Sequence, residues 1–431
     1  MDYTEALILV ISFVVLMGIR VPIAYSIGFS ALLTLVVSMP SLPAMTTLAQ
    51  RMATSLDSFA LLAIPFFILA GQVMNQGGIA RRLIDFAKAI VGPLPGGLAF
   101  VNIIACMLFG AISGSAVAAA SAIGGFMNPM MEKEGYDKSF SAAVNITSAT
   151  TGLIIPPSNI LIIYSLASGG VSIAALFLAG YVPGILIGLA LMLVAGVYAW
   201  MKKYPTAKSV GIKIFLKRFL DALPSLLLLV VVIGGIVAGI FTATEASAVA
   251  VIYTFILAFA YKEIELKDVP SILLETTKTT AIVMLLIATS VAMSWVMSYE
   301  SIPQEISAGL LGISNNPIVI LIIINLILLF VGIFMDMTPA VLIFTPIFLP
   351  IVTQMGIDPI HFGIIMILNL CIGLCTPPVG SVLFVGCGVA NLKIQQVVRP
   401  LLPLFIAMLV VLMIITYVPE LSVWVPELFG F

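Results

Sequence analysis

Two segments of this 431-residue chain place paired prolines and hydroxyl side chains inside apolar sequence. Residues 152–159 read GLIIPPSN, and residues 373–381 read GLCTPPVGS. Consecutive prolines interrupt a helix, because each lacks a backbone N–H group and its ring clashes with the preceding turn. An interruption frees backbone carbonyl groups, which together with Ser and Thr hydroxyls can bind a small hard cation such as Na⁺.

A second half-helix is expected after each interruption, near Ser158 and Asn159 in the first segment and near Ser381 in the second. The N-terminal end of a helix carries partial positive charge and can bind the carboxylate of an anion. The two segments therefore predict a site that holds cations and an anion together.

Both segments occupy the same register of an internal repeat. An offset of 221 positions aligns Gly152 with Gly373 and superimposes the two proline pairs. The same offset aligns further residues, namely Pro129 with Pro350, Gly135 with Gly356, and Asp137 with Asp358. Interrupted apolar segments at matching positions of two halves are the best sequence pointer to the binding site of a transporter. The alternative is two unrelated proline kinks, and the shared register argues against it.

Two polar turns lie upstream of the interruptions. The first is Ser113-Gly114-Ser115, and the second, at 335–339, contains Asp336, which aligns with Ser115. A carboxylate at membrane depth costs about 2.5–3.5 kcal/mol on insertion scales and normally has a partner. No Lys or Arg lies inside the predicted spans, so a bound cation or a substrate hydroxyl is the expected partner. The alternative is that Asp336 only caps the next helix, and the two roles are compatible.

Composition defines the class of protein that carries these segments. The chain is 62% hydrophobic and 9% charged, with a mean hydropathy of +1.25, which is typical of a polytopic α-helical membrane protein. The net charge of −1 suggests no nucleic-acid partner. The acidic start predicts no cleaved signal peptide. The four cysteines lie in apolar runs and His361 lies at a predicted helix entry, so we expect no metal centre or organic cofactor.

The apolar pattern predicts ten membrane spans and two re-entrant hairpins. The spans are 5–19, 22–38, 57–75, 138–168, 174–200, 222–241, 245–261, one ending near Met297, 360–390 and 395–418. The hairpins are 97–131 and 316–355, each with a polar turn at its tip. A single long span with small residues for helix packing is the alternative for 97–131. Residues 39–56 are rich in Pro, Ser and Thr and contain one short amphipathic patch, and no span is predicted there. Glu245 is predicted to complete a capping box with Thr242, in preference to binding an ion.

Charge supports this layout. With the N-terminus outside, nearly every Lys and Arg falls on the cytoplasmic side, and Arg51 is the exception. The two hairpins then enter from opposite sides, which makes the halves an inverted-topology repeat with both termini periplasmic. The predicted regions are 1–96, a first scaffold region with an interfacial helix at 79–90; 97–200, a first transport repeat; 201–221, a cytoplasmic basic loop; 222–315, a second scaffold region with an interfacial helix at 300–311; and 316–431, a second transport repeat.

Several motifs resemble one known family over essentially the whole chain. They are LAIPFFILAG at 62–71, GGIARR at 77–82, SGS at 113–115, IPPS at 155–158 and FTATEA at 241–246. These are similar to the large membrane subunit, of the DctM type, of tripartite ATP-independent periplasmic (TRAP) transporters. The resemblance implies an elevator-type carrier in a bacterial inner membrane that is driven by a Na⁺ gradient.

The resemblance also implies partners and site residues. The partners are a small four-helix membrane subunit of the DctQ type, here a separate polypeptide, and a soluble periplasmic binding protein of the DctP type. The binding protein would deliver an organic acid anion such as a sialic acid, a C4-dicarboxylate or a sugar acid. The positions that match the family's Na⁺ sites are Ser113, Ser115, Gly152, Ile155, Pro157, Gly332, Asp336, Gly373, Thr376 and Pro378. The positions expected to contact the substrate are Ser115, Ser158, Asn159, Asp336, Thr376 and Ser381.

Two other functions are compatible with parts of this pattern. A stand-alone Na⁺/carboxylate symporter of the divalent-anion type also has hairpins and broken helices, and it would transport without a binding protein. A membrane enzyme or a channel is less compatible, because no His, Cys or Asp cluster supports catalysis and no ring of polar residues suggests a continuous pore.

Overall fold

The computed structural model describes residues 4–206, 211–314 and 316–431, without the side chain of Ile112. Lys208, which belongs to the predicted basic loop, lies outside these residues. The described chain is all helical. Its helices are α1 Thr4–Gly18, α2 Ile23–Ser38, α3 Ser41–Ser55, a 3₁₀ turn Phe59–Leu62, α4 Ala63–Gln76, α5 Ile79–Val91, α6 Gly97–Ser113, α7 Ala116–Lys133, α8 Lys138–Thr151, α9 Asn159–Ala167, α10 Ile173–Lys202, α11 Ile212–Val237, α12 Ala243–Ala260, α13 Val269–Tyr299, α14 Ile302–Ile313, α15 Pro317–Phe334, α16 Met337–Gln354, α17 Pro359–Gly373, α18 Ser381–Val389, α19 Ile394–Tyr417 and α20 Glu420–Leu428.

Eight of the described helical segments are long and apolar enough to cross a membrane, which makes this a multi-pass membrane protein. They are Phe59–Gln76, α10, α11, α12, α13, α15, α16 and α19. The count of eight differs from the predicted ten spans because it depends on the length of each helix. It includes both α15 and α16. It leaves out α1 and α2, which are apolar but shorter, and the two interrupted segments, whose half-helices are each too short.

The polar turns separate helices that contact each other. Gly114 and Ser115 lie between α6 and α7, and Met335 and Asp336 lie between α15 and α16. Gly114 has a φ of 61°, a left-handed conformation that favours glycine. The Ser115 hydroxyl then caps α7 by accepting a hydrogen bond from the N–H of Ala118 at 3.2 Å. Residues 97–131 therefore form two helices and not one continuous span.

The proline pairs interrupt the helices at both predicted places. Residues 152–158 separate α8 from α9, and residues 374–380 separate α17 from α18. The Pro156–Pro157 and Pro377–Pro378 bonds are both cis. Helix bounds also keep the sequence offset: α7 covers 116–133 and α16 covers 337–354, so both ends differ by 221 positions.

The structure differs from the prediction in three places. Residues 41–55, for which only one short amphipathic patch was predicted, form the complete helix α3, because Pro43 lies in its first turn, where a missing N–H is tolerated. Within the predicted basic loop, α11 already begins at Ile212, since the cationic residues share a helical turn with apolar ones. The last helix, α20, follows Pro419 and was not predicted.

The segment predicted to be an interfacial helix, 79–90, forms α5 and packs against other helices of the chain. The apolar face of α5 is buried, including Ile79, Leu83 and Ile84, and it packs against α6 and α11. The Arg82 guanidinium lies 3.7 Å from the centre of the Tyr261 ring and 3.6 Å from a Glu263 carboxylate oxygen. These contacts hold α5 against the end of α12.

Glu245 caps a helix, as predicted. Its carboxylate accepts a hydrogen bond from the N–H of Thr242 at 2.8 Å, and the Thr242 hydroxyl accepts one from the N–H of Glu245 at 3.3 Å. This reciprocal pair is a capping box at the start of α12.

Candidate functional site

One cavity of about 390 Å³ brings the two polar turns and the two interruptions together. Its lining includes Ser113, Gly114 and Ser115 from the first turn, Asp336, Met337 and Thr338 from the second, Leu153 and Asn159 from the first interruption, and Leu374 and Ser381 from the second. Of the predicted site residues, five therefore line one cavity: Ser113, Ser115, Asn159, Asp336 and Ser381. They come from four chain segments that the sequence separates by up to 268 positions.

Three residues that line this cavity have buried polar atoms without hydrogen-bond partners. The Ser113 hydroxyl, the Asn159 side-chain oxygen and the Ser381 hydroxyl are buried and have no hydrogen-bond partner among the described residues. Native proteins rarely leave buried polar atoms unpaired, and each exception calls for an explanation such as a bound ion or water. Three such atoms in one lining suit a ligand that offers both positive charge and hydrogen-bonding groups.

Asp336 both caps a helix and lines the cavity. One carboxylate oxygen accepts a hydrogen bond from the N–H of Met337 at 2.7 Å, at the start of α16. The side chain is exposed, and within the described chain its second oxygen has no hydrogen-bond partner. Among the described lining residues there is no Lys or Arg. The free oxygen is therefore available to a cation or to a substrate hydroxyl.

The two half-helices, α9 and α18, differ in whether the N–H groups of their first turn have hydrogen-bond acceptors. In the described structure, the N–H groups of Asn159 and Ile160 at the start of α9 have no acceptor. At the start of α18, the N–H of Ser381 also has no acceptor in the described structure, but the N–H groups of Val382 and Leu383 both donate to the carbonyl of Leu374, at 3.2 and 3.3 Å. The N-terminus of α9 is therefore the better placed of the two to bind an anion.

The remaining predicted residues do not line this cavity. They are Gly152, Ile155, Pro157, Ser158, Gly332, Gly373, Thr376 and Pro378. The Ser158 hydroxyl donates to the carbonyl of Leu153, and the Thr376 hydroxyl donates to that of Ile372 at 2.8 Å. A hydroxyl that donates keeps lone pairs for a cation, so a role for these oxygens stays a prediction.

The cysteines and the histidine do not line this cavity. Cys106, Cys371, Cys375 and Cys387 are all buried and form no disulfide, and His361 is buried in the first turn of α17, with Nε2 3.4 Å from the carbonyl of Thr416. Among the described residues, no group of three or more His, Cys, Asp or Glu could hold a metal ion.

Sequence reasoning missed four polar residues of the cavity: Gln72, Asn75, Thr279 and Thr338. Thr338 belongs to the second turn, but it was not predicted as a site residue. Gln72 and Asn75 lie in α4 and Thr279 in α13, outside the predicted transport repeats. The available signal was three amides, Gln72, Asn75 and Gln76, near the end of an otherwise apolar helix, with Gln72 and Asn75 on one face.

The fold is that of multi-span helical transporters. The structure resembles the YdaH transporter of Alcanivorax borkumensis with a TM-score of 0.66, over 90% of this chain and 89% of that one, at 13% sequence identity. The sequence model of one protein family, the DctM component of the tripartite ATP-independent periplasmic transporters, matches residues 10–421 of this chain. The chain belongs to this family, and it is a transporter permease and not an enzyme.

Curated relatives agree with the family. The chain is 57% identical to the uncharacterized protein YgiK of Salmonella typhimurium, over 97% of this chain and 96% of that protein. It is 42% identical to the C4-dicarboxylate TRAP transporter large permease protein DctM of Pseudomonas aeruginosa, over 94% of each. It is 43% identical to the isethionate TRAP transporter permease protein DctMQ of Oleidesulfovibrio alaskensis, over 98% of this chain and 67% of that protein.

Proposed function

We propose that this TRAP large permease couples import of an organic acid anion to the entry of Na⁺. The observation that carries the proposal is the single cavity in which two polar turns and two helix interruptions meet. Family membership favours this function over that of a stand-alone symporter of the divalent-anion type.

The lining has the chemistry for Na⁺ and an anion together. Hard cations prefer carboxylate, carbonyl and hydroxyl oxygens, which Asp336, Ser113 and Ser115 offer directly. Freed carbonyls and the Thr376 hydroxyl lie in the adjoining interruptions. Because the described lining holds no cationic side chain, bound Na⁺ would supply the positive charge that attracts the carboxylate to the start of α9.

Transport would follow an elevator mechanism in a bacterial inner membrane, with both termini periplasmic. The common offset of the helix bounds supports an inverted repeat, and the distribution of Lys and Arg supports hairpins that enter from opposite sides. The helices α1 to α5 and α11 to α14 would form the scaffold. The two hairpins and the two interrupted helices would move with the substrate.

Two partners complete the proposed system. One is a small membrane subunit of the DctQ type. The longer relative from Oleidesulfovibrio alaskensis supports this partner, because its name, DctMQ, joins both components. The other is a periplasmic binding protein of the DctP type, which would deliver the acid. The relatives are named for a C4-dicarboxylate and for isethionate, and a sialic acid or a sugar acid also suits an anion site of this kind.

Reconstitution with omitted components tests this function. Proteoliposomes with this chain and the small subunit should take up a labelled organic acid only when the binding protein and an inward Na⁺ gradient are both present. Uptake by this chain alone would favour a stand-alone symporter. Uptake that needs ATP and ignores Na⁺ would refute the proposal.

A further inference from the structure

Two side-chain amides face the cavity from outside the hairpins and the interruptions. Gln72 and Asn75 lie three positions apart on α4, so they share one helical face. Both line the same cavity as Asp336. Asn75 is exposed and Gln72 is half-buried, and within the described chain neither side-chain amide has a hydrogen-bond partner. Their donors and acceptors are therefore free to meet a ligand.

The packing of α4 places these amides beside the first polar turn. A Cβ atom added to Gly71 would lie 3.0 Å from the Cα atom of Ser113, so the two backbones are in close contact there. Helix α4 also packs against α12 and α13, and Thr279 of α13 lines the same cavity. Gln72 is therefore the next residue in the chain after Gly71, where the backbone of the proposed scaffold contacts the tip of the first hairpin.

The chemistry of an amide indicates which part of a substrate it would bind. A carboxamide offers N–H donors and an acceptor oxygen, a carboxylate only accepts, and a hydroxyl does both. A carboxylate against Gln72 and Asn75 would leave the amide oxygens unpaired, whereas a hydroxyl can pair with both amide groups. The free N–H groups of α9 already provide a place for the carboxylate.

We propose that Gln72 and Asn75 bind hydroxyl groups of the substrate, so that the site prefers a hydroxylated organic acid to the same acid without the hydroxyl. This inference rests on the proposed function and adds the substrate class. A site built to pair with a hydroxyl discriminates against the analogue that lacks it, because its polar groups are then left unpaired.

Pairs of acids that differ by one hydroxyl test the inference. The two pairs are malate with succinate, and lactate with propionate. Each acid is added in increasing concentration, in NaCl, to the detergent-purified complex of this chain with the small subunit. The shift in the melting temperature of the complex gives an apparent affinity for each acid. We expect the wild type to favour the hydroxylated acid of a pair by about tenfold, the value of one to two hydrogen bonds. In Gln72→Leu and Asn75→Leu the ratio should fall towards one, while Asn75→Ser, which keeps a hydroxyl, should retain part of it.

Gln50→Leu is the matched control, because Gln50 is an exposed amide on α3 and does not line the cavity. Its ratio should equal that of the wild type. Unchanged ratios in both α4 variants, with binding retained, would overturn the inference and leave Na⁺-driven uptake untouched. If the wild-type complex bound none of the acids in NaCl, this inference would be overturned, while the proposed function would still be judged by the uptake experiment.

Discussion

A Cβ atom added to Gly152 would lie only 2.3 Å from the Cα atom of Gly110, so the first interruption packs backbone to backbone against α6. The second half repeats this contact, where a Cβ atom on Gly373 would lie 2.6 Å from the Cα atom of Gly332 in α15. Three of these glycines were predicted Na⁺ positions. Their packing explains why a glycine is needed at each, whether or not a carbonyl there also binds the ion.

Substitution of Gly152 should destabilise the protein. In Gly152→Ala the added methyl group meets the backbone of α6, which has little room to move, so we expect a loss of about 1–3 kcal/mol. The measurement is the melting temperature of the purified protein. Gly125→Ala is the control, since Gly125 lies in α7 with nothing within 4 Å of an added Cβ atom. Equal melting temperatures for both variants would contradict the backbone contact.

Asp336→Asn separates the two roles of this residue. Asn is about as good a helix cap as Asp, so expression and stability should stay near normal. Loss of the charge at the cavity should reduce the initial uptake rate at least tenfold or raise the Na⁺ concentration needed for half-maximal uptake.

Asp358→Asn is the matched control for that substitution. Asp358 caps α17, accepting hydrogen bonds from the N–H groups of Ile360 and His361 at 2.7 and 3.1 Å, and it does not line the cavity. Its variant should transport nearly normally. A normal rate and normal Na⁺ dependence for Asp336→Asn would remove Asp336 from the site.

Ser113→Ala tests the buried hydroxyl without a partner. Because no protein hydrogen bond is lost, stability should be unchanged or slightly higher, whereas the Na⁺ concentration for half-maximal uptake should rise about tenfold if this oxygen binds the ion. Ser141→Ala is the control: the buried Ser141 hydroxyl donates to the carbonyl of Asp137 at 3.1 Å, so its loss should lower stability and leave Na⁺ dependence alone. The reverse pattern would assign Ser113 a structural role.

Cross-linking tests the proposed motion. Gln304 on α14 and Gln354 on α16 are exposed and line a second cavity, and the native cysteines are buried. A short bifunctional maleimide that joins Gln304→Cys to Gln354→Cys should stop uptake while the complex stays assembled. Each single variant, treated with the same reagent, should stay active. Full activity of the joined protein would argue against movement of α16 relative to α14.

The sequence predicted the centre of the site better than its surroundings. The paired prolines and the common offset can be recognised from the sequence alone, so Asn159, Asp336 and Ser381, which line the cavity, could be named as candidates without a structure. The contacts Gly110–Gly152 and Gly71–Ser113 join segments that are distant in sequence, and a glycine alone does not reveal its partner. Gln72 and Asn75 were missed for the same reason, since only the fold brings α4 to the cavity. Most of helix α3 was missed because residues 39–56 are rich in Pro, Ser and Thr.

The most direct test of the central claim is simultaneous measurement of labelled Na⁺ and labelled organic acid entering proteoliposomes that contain this chain and the small subunit, with the binding protein outside. We predict that both labels enter together in a fixed ratio, that replacing Na⁺ by K⁺ abolishes acid uptake, and that Asp336→Asn reduces both fluxes in parallel. Acid uptake at an undiminished rate in K⁺, with no accompanying Na⁺ entry, would contradict the account.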